Sequence, residues 1–534
     1  MRLRPKYAWF LAFTAIYAVG AAFVFWGTWS LDFAPVMPDS PIVYSPYWFS
    51  EWLRQWADNG KFLPSDVYKL VGSPYFWQEF NYAIGPYFAA LATAYFLRGR
   101  KLSRLASYGG ALLLAFSGYW FTLFSAGHGS WFIWMIYGLF PFGLIDRALE
   151  KGKLKNWLLL GASLGWASYW QTDLWLLFSV FEASYFIFRL IEHKKIPFKG
   201  MLIALVALFI VGSSGFYNAI FKDLAGRDAQ ISQGQTLTNV NDKTNDEKRW
   251  IFVTNWSLPP EEAIEFFIPR INGDTSCLVT LLSGSYYQTG VKPYTGSLGR
   301  PYGAKEGNYR QHSLYVGLVT CVLALIGIIF GLIRKDKFVM FFFVSTIVFC
   351  LLSFGRYFEL LYRCVYLLPF GDYLRAPVKW HHLTEFSICV LAAFGVDFLV
   401  NTFNTKANFL KFIPHLVLIL LIVGVVDLVR RDAVYCAPIY VGQARRQGAM
   451  MDMTIINPSE LMNPNVRAMV QSKRLVLLSN TRNGQPVLVG VIKKAQENKS
   501  PITLSLPAYL NILSFLCGIF ILVYAIFNGK GKRV

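Results

Sequence analysis

Roughly a dozen runs of about 16 to 23 apolar residues leave this chain few ways to fold, because a stretch that long and that apolar must cross a bilayer or be wholly enclosed by protein. The runs fall near 7–26, 82–97, 105–125, 130–145, 156–170, 174–190, 200–221, 313–333, 338–354, 382–401, 412–428 and 507–527. Composition agrees: 55% of the 534 residues are hydrophobic and 15% charged, where soluble domains carry about a quarter charged residues. The expected fold class is an all-α polytopic integral membrane protein of about 12 transmembrane helices, with outer loops and a small α/β outer segment near the C-terminus.

The net charge of +20 would suit a nucleic-acid binder, but its distribution says otherwise. With "MRLRPK" inside, every second connection is short and basic, as in "RGRKLSR" (98–104), "DRALEKGKLK" (146–155), "RLIEHKKIPFK" (189–199), "RKDK" (334–337) and the tail "GKGKRV". The first outer loop runs the other way, with Asp32, Asp39, Glu51, Asp58, Asp66 and Glu79 against Arg54, Lys61 and Lys69. This is the positive-inside pattern. It predicts a multi-pass protein of a bacterial inner membrane with both termini cytoplasmic, and no nucleic-acid partner. The first run is longer than a signal-peptide core and reads as a retained span. Seven cysteines, with no CxxC, argue against a metal-thiolate centre.

Residues 1–428 read as the multi-span domain, interrupted by outer loops at 27–81 and 222–312. Residues 429–506 read as a small outer α/β mini-domain, in which two β-rich runs flank "TRNGQP" after a short helix near 459–471, and 507–534 supply the last helix and basic tail. In the first loop, Trp48, Phe49, Trp52, Leu53 and Trp56 share one helical face. That helix lies in the headgroup plane or packs on the spans.

Polar residues far apart in sequence fall on the same outer side: Asp39 between Pro38 and Pro41, Glu79 in "FWQEF", His128 in "SAGHGSW", Asp173 in "YWQTDLW", and Arg375 and Lys379 in "YLRAPVKWHH", beside His381 and His382. Ionisable groups at membrane depth are costly unless paired or hydrated, so their gathering suggests a shared polar cavity. Each also has a plain structural reading. Asp39 can be a solvated loop acid, His128 can sit in a tight turn, Asp173 can cap a helix, and Arg375 and Lys379 can snorkel. Glu182 and Asp397, inside predicted spans, read equally well as helix contacts. As a functional set, a carboxylate supplies a general base and the basic pair a phosphate clamp. Transfer of a sugar from a polyprenyl-phosphate donor to a hydroxyl needs both. The chain has no GxxxxGK[ST], HExxH or GxSxG, so no nucleotide loop, zinc protease or serine hydrolase is expected.

"DSPIVYSPYWFSEWLRQWADNGKFLP", "WSLPPEEAIEFFIPRINGD" (256–274), "SLYVGLVTCVLALIGI" (313–328) and "LLSFGRYFELLYRCVYLLPFGDYLRAPVKWHHLTEFSICVLAAFGVDFL" (351–399) resemble, in order, segments of bacterial YfhO-like membrane proteins of the GT-C glycosyltransferase superfamily. The resemblance implies an inverting glycosyltransferase with Asp39 as general base and Arg375 and Lys379 at the donor phosphate. Tyr44 matches a family position, and Glu79, His128 and Asp173 would support the donor or acceptor site. His381 and His382 are further candidates. The implied partners are a polyprenyl-phosphate sugar donor, an envelope glycan or lipid acceptor, and membrane lipids. No metal site is expected, and a divalent cation is the one cofactor left open. Lys379 stands where the family more often has Arg, and no second acid stands beside Asp39. The alternatives are a transporter or flippase of lipid-linked or small solutes, and a non-catalytic scaffold.

Overall fold

The structure is a computed structural model that describes residues 5–24, 33–35, 42–44, 48–61, 74–120, 123, 128–194, 196–224, 226, 245–269, 271–272, 278–280, 286–288, 298, 314–368, 371–403, 415, 418, 422, 424, 438–440, 449–456, 475–477, 487–494 and 501–527. Its helices in chain order are α1 (Pro5–Val24), α2 (Trp48–Asn59), α3 (Pro74–Gly99), α4 (Arg104–Ala115), α5 (Gly129–Gly138), α6 (Phe140–Lys151), α7 (Leu154–Ala167), α8 (Thr172–His193), α9 (Phe198–Val211), α10 (Ser213–Asn218), α11 (Asn245–Thr254), α12 (Leu318–Ile333), α13 (Lys337–Ser353), α14 (Glu359–Tyr366), α15 (His381–Phe403) and α16 (Leu506–Phe527).

The expectation of about 12 membrane crossings is corrected. Among the described residues four helices are long and apolar enough to cross a membrane: Gly129–Lys151, Thr172–His193, Pro377–Thr402 and Leu506–Phe527. The number rises to six if two bent pairs each count as one span. Hydropathy overcounts because several apolar runs fold as shorter helices. α4 has 12 residues, about 18 Å of rise against a hydrocarbon core of ~30 Å. The run at 200–221 breaks at Gly212 into segments 65° apart, and Lys337–Ser353 meets Gly355–Tyr366 at 109°. The second corner sits on Gly355, with φ +48, where an added Cβ would lie 2.2 Å from Ser257 Oγ. The predicted span at 412–428 and the predicted helix near 459–471 lie largely or wholly outside the described residues.

α15 is the buried axis. Leu383, Phe386, Val390, Leu391, Ala392 and Ala393 are fully enclosed, as are His381, His382 and Glu385 in its first turns, so the helix is covered on all sides. Small residues let α12 approach it closely: a Cβ on Gly327 would come 2.2 Å from Leu391 O, and one on Gly395 would come 2.0 Å from Leu323 O. Such contacts replace the hydrophobic effect, which lipid does not supply between helices. On the other side Phe386 packs against Phe142 with ring centroids 4.9 Å apart, and Phe181 meets Phe349 at 4.7 Å.

The basic turns gather at one end of this bundle. Arg189, towards the end of α8, donates to Asp146 of α6 at 2.6 Å, and Tyr185 donates to the same carboxylate at 2.7 Å. Arg100 lies 3.9 Å from it. The backbone N–H of Ser103 donates to Asp397 of α15 at 2.7 Å, and Asp336 caps α13 through Phe338 N at 2.9 Å. Asp173, at the other end of α8, lies about 24 Å from Arg189 along the helix axis.

The amphipathic helix α2 packs on the bundle. Trp56 Nε1 donates to Asn511 Oδ1 of α16 at 2.9 Å, and Asn218 Nδ2 of α10 donates to Asn59 O at 2.7 Å. Phe49 on the same helix is exposed, so one end of its apolar face is docked and the other is open.

The strands are β1 (Phe33–Pro35), β2 (Ile42–Tyr44), β3 (Leu278–Thr280), β4 (Tyr286–Gln288), β5 (Pro438–Tyr440), β6 (Ala449–Ile456), β7 (Leu475–Leu477) and β8 (Val487–Lys494). The largest sheet has the order β2-β6-β8-β7 and is antiparallel throughout. The first loop thus lends a strand to the C-terminal segment, and a second pair, β1 with β5, repeats the link.

Candidate functional site

A turn with several anchors builds the site. Ala376 has φ +63, an uncommon conformation for a residue with a Cβ. Its N–H donates to Val253 O at 3.1 Å, and Val378 N–H donates to Trp256 O at 3.1 Å. The Tyr119 hydroxyl donates to Val378 O at 3.2 Å and the Tyr362 hydroxyl to Leu374 O at 3.1 Å. Pro377 opens the 3-10 turn Pro377–Trp380 that runs into α15; there its missing N–H costs nothing, because a first-turn donor has no partner within the helix. Held in this way, the turn fixes where Arg375 and Lys379 project.

Lys379, 7% exposed, donates to Asp173 in the first turn of α8. Its ammonium lies over the Trp131 ring, 5.6 Å from the centroid. Asp173 is 3% exposed, and the N-terminal end of its helix favours the negative charge. Gln171, just before it, takes φ +52 and accepts from Ser130 Oγ at 2.8 Å, which links this helix start to α5. Arg375 faces elsewhere, with its guanidinium over Trp256 at 4.6 Å and Phe252 at 5.1 Å.

The two histidines are fully enclosed. His381 Nε2 pairs with Leu314 O at 3.1 Å, and its ring stacks on Phe266 at 4.1 Å. His382 lies among Tyr119 and Trp120, each at 4.2 Å, and Trp131 at 4.7 Å. Its Nδ1 stands 3.6 Å from Oε2 of Glu385, and Glu385 accepts from the Ser117 hydroxyl. His128 stacks on Trp131 at 5.8 Å. So His128, Lys379 and His382 converge on Trp131, with Asp173 bound to Lys379, while Arg375 and His381 face neighbouring surroundings. Asp39 lies outside the described residues, as do the side chains of Tyr44 and Glu79.

Glu385 is the residue that sequence reasoning missed. Its signal was the His-x-x-Glu spacing on a helix, which puts both side chains on one face. An acid enclosed in the middle of the bundle demands a partner.

The reading as an inverting GT-C glycosyltransferase is corrected, and with it the terms polyprenyl phosphate and polysaccharide biosynthesis. A general base needs a carboxylate available to take a proton, but Asp173 is committed to a buried ammonium. Asp146 is held by arginine at the far end of the bundle. Glu385 sits behind an aromatic cage, and Glu182 lies apart within α8. Among the described residues no three His, Cys, Asp or Glu side chains stand close enough to hold a metal ion, so the cluster of acids that such a transferase would use is not assembled there. Apolar helices of membrane length make the chain a membrane-associated protein. No family model and no curated protein matches it.

Proposed function

We propose that this protein binds the acidic headgroup of a membrane lipid at Lys379, with the incoming phosphate taking the place of the Asp173 carboxylate. The observation that carries the reading is the buried Lys379–Asp173 pair. Ionisable groups among membrane helices are rare and mark ligand or ion sites, and a buried ammonium keeps its charge only against an anion.

An apolar ledge supports a lipid over a free anion. α14 is tied to the Lys379 turn through Tyr362, and the chain around it leaves Leu360 and Leu367 81% exposed and Leu368 56% exposed. A lipid whose phosphate reaches Lys379 could lay its acyl chains along this ledge. Arg375, two residues before Pro377, is a second cation beside this turn, with its guanidinium over Trp256.

The clustered basic turns support a multi-pass orientation with that end in the cytoplasm, and the ordered resemblance to YfhO-like proteins supports a bacterial inner membrane. The lipid site then lies at the outer leaflet.

The test is binding of short-chain phosphatidic acid to the purified protein, beside phosphatidylcholine and inorganic phosphate. The double variant Asp173→Asn with Lys379→Gln removes both charges without orphaning one. Preference for phosphatidic acid that falls about tenfold or more in the variant is expected for a lost charged hydrogen bond. Equal binding of phosphatidylcholine, or an unaffected variant, overturns the proposal, and preference for inorganic phosphate moves the ligand from lipid to free anion.

A further inference from the structure

We propose that His382 and Glu385 form a proton-binding site inside the bundle, and that its occupancy sets the affinity of the Lys379 site for an acidic group. The second half rests on the lipid-binding reading above; the first does not.

The geometry begins with unused hydrogen-bonding capacity. Among the described residues, neither ring nitrogen of His382 has a hydrogen-bond partner, and neither has Oε2 of Glu385. Buried polar atoms rarely stay so. Here two of them face each other at 3.6 Å, a few tenths of an ångström beyond hydrogen-bond length. The aromatic rings of Tyr119, Trp120 and Trp131 enclose the imidazole and offer it no acceptor. One proton placed between Nδ1 and Oε2 satisfies both atoms.

Charge counting gives the consequence. With the proton bound, the pair is neutral overall, either as imidazole and carboxylic acid or as imidazolium and carboxylate. With the proton released to solvent, imidazole and carboxylate remain, and the enclosed pair carries one negative charge. His381, Lys379 and His128 face His382, and Ser117, Tyr119 and Cys389 face Glu385. Of these ionisable neighbours His128 is partly exposed, which gives the proton a route. Lys379 and His382 touch the same Trp131 ring, so a charge on the pair is felt at the ammonium through low-dielectric protein. A negative pair satisfies Lys379 in part and repels an incoming phosphate. With the pair protonated, that repulsion is absent. Linkage makes the effect reciprocal, so binding an acidic lipid draws in a proton.

The experiment measures phosphatidic acid binding to the full-length protein in nanodiscs across the pH range in which His and Glu titrate. Wild-type affinity should fall by up to about tenfold per pH unit as pH rises through the midpoint. Glu385→Gln keeps the shape of the protonated acid and should flatten that dependence. Ser117→Ala, a milder change, should move the midpoint. A flat wild-type profile, or a Glu385→Gln profile as steep as wild type, overturns the coupling. Infrared difference spectra of the ligand-free protein between low and high pH test the proton site alone. A pH-dependent band of a protonated carboxyl or of an imidazolium ring that disappears in Glu385→Gln supports it, and the same bands in both proteins, or neither band in wild type, overturns it. Should wild type bind no lipid, the lipid reading and the coupling both fall, and the spectra still decide the proton site.

Discussion

Lys379 and Asp173 are joined across 206 positions of chain, one from the turn before α15 and the other from the first turn of α8. The pair ties together the two helices that, among the described residues, carry most of the buried His, Asp and Glu. Removing the ammonium alone strands a buried carboxylate, so Lys379→Met should cost about 3–5 kcal/mol. Adding Asp173→Asn should recover most of that loss. Thermal unfolding in detergent of both single variants and the double variant checks the cycle, and additive losses would show that the two residues do not interact.

Gly60 closes α2 with φ +62, and a Cβ there would lie 2.0 Å from Pro507 O. Gly60→Ala therefore meets both a left-handed backbone and a backbone atom that cannot yield. The expected result is a loss of more than about 1 kcal/mol of stability, together with faster proteolysis in the first loop.

Two glycines make a contrasting pair. Gly395 has a carbonyl 2.0 Å from its notional Cβ, while Gly99 has nothing within 4 Å. Gly395→Ala should force α12 and α15 apart at a cost of about 1–3 kcal/mol. Gly99→Ala should be neutral or stabilising by up to about 1 kcal/mol. Melting temperatures of the two variants should move in opposite directions, or only the first should move.

At the basic end, Asp146 is 1% exposed and Arg189 reaches it at 2.6 Å. Arg189→Met should destabilise by roughly 3 kcal/mol, because Arg100 stands farther off at 3.9 Å. The loss should persist at high salt, since buried pairs are screened far less than exposed ones. A loss that vanished in salt would place the pair in water.

Orientation is open to thiol labelling. Cys364 is free and exposed, and Lys153 lies exposed in a basic turn at the other end of the bundle. A membrane-impermeant maleimide should label Cys364 in intact cells. In a variant with Cys277→Ser, Cys364→Ser, Cys436→Ser and Lys153→Cys, labelling should appear only after permeabilisation. The reverse pattern would invert the protein in the membrane.

Much of the arrangement at the site was legible in the sequence, because alternating basic and polar connections sort residues to two ends before any fold is known. His128, Asp173, Lys379 and His382 were assigned to one end on that ground, and they meet around Trp131. The number of crossings was not legible. A hydropathy window responds equally to a run that crosses lipid and to one buried by its neighbours, and the corner at Gly355 depends on Ser257, whose hydroxyl accepts from the Arg356 N–H 99 positions away. Glu385 escaped because its His-x-x-Glu spacing is a weak local signal, and what surrounds it, an aromatic cage and a serine from another segment, comes from elsewhere in the chain. The packing of α2 was likewise undecided, since a tryptophan-rich face suits lipid and protein alike until Asn511 is seen opposite Trp56.

The links between the first loop and the end of the chain set an order on assembly. Ile42 pairs with Asp452, and Trp56 bonds Asn511 across 455 positions. A ribosome adds residues one after another, so β1 and β2 emerge early and find no strand to close on until most of the chain has been made, and α2, which can meet α10 sooner, waits for α16 to cover Trp56. Contacts of such long range form slowly. The closed first loop is thus a mark of completed synthesis: a chain truncated before β6 would leave strand edges and a tryptophan face uncovered, in the form that membrane quality control removes.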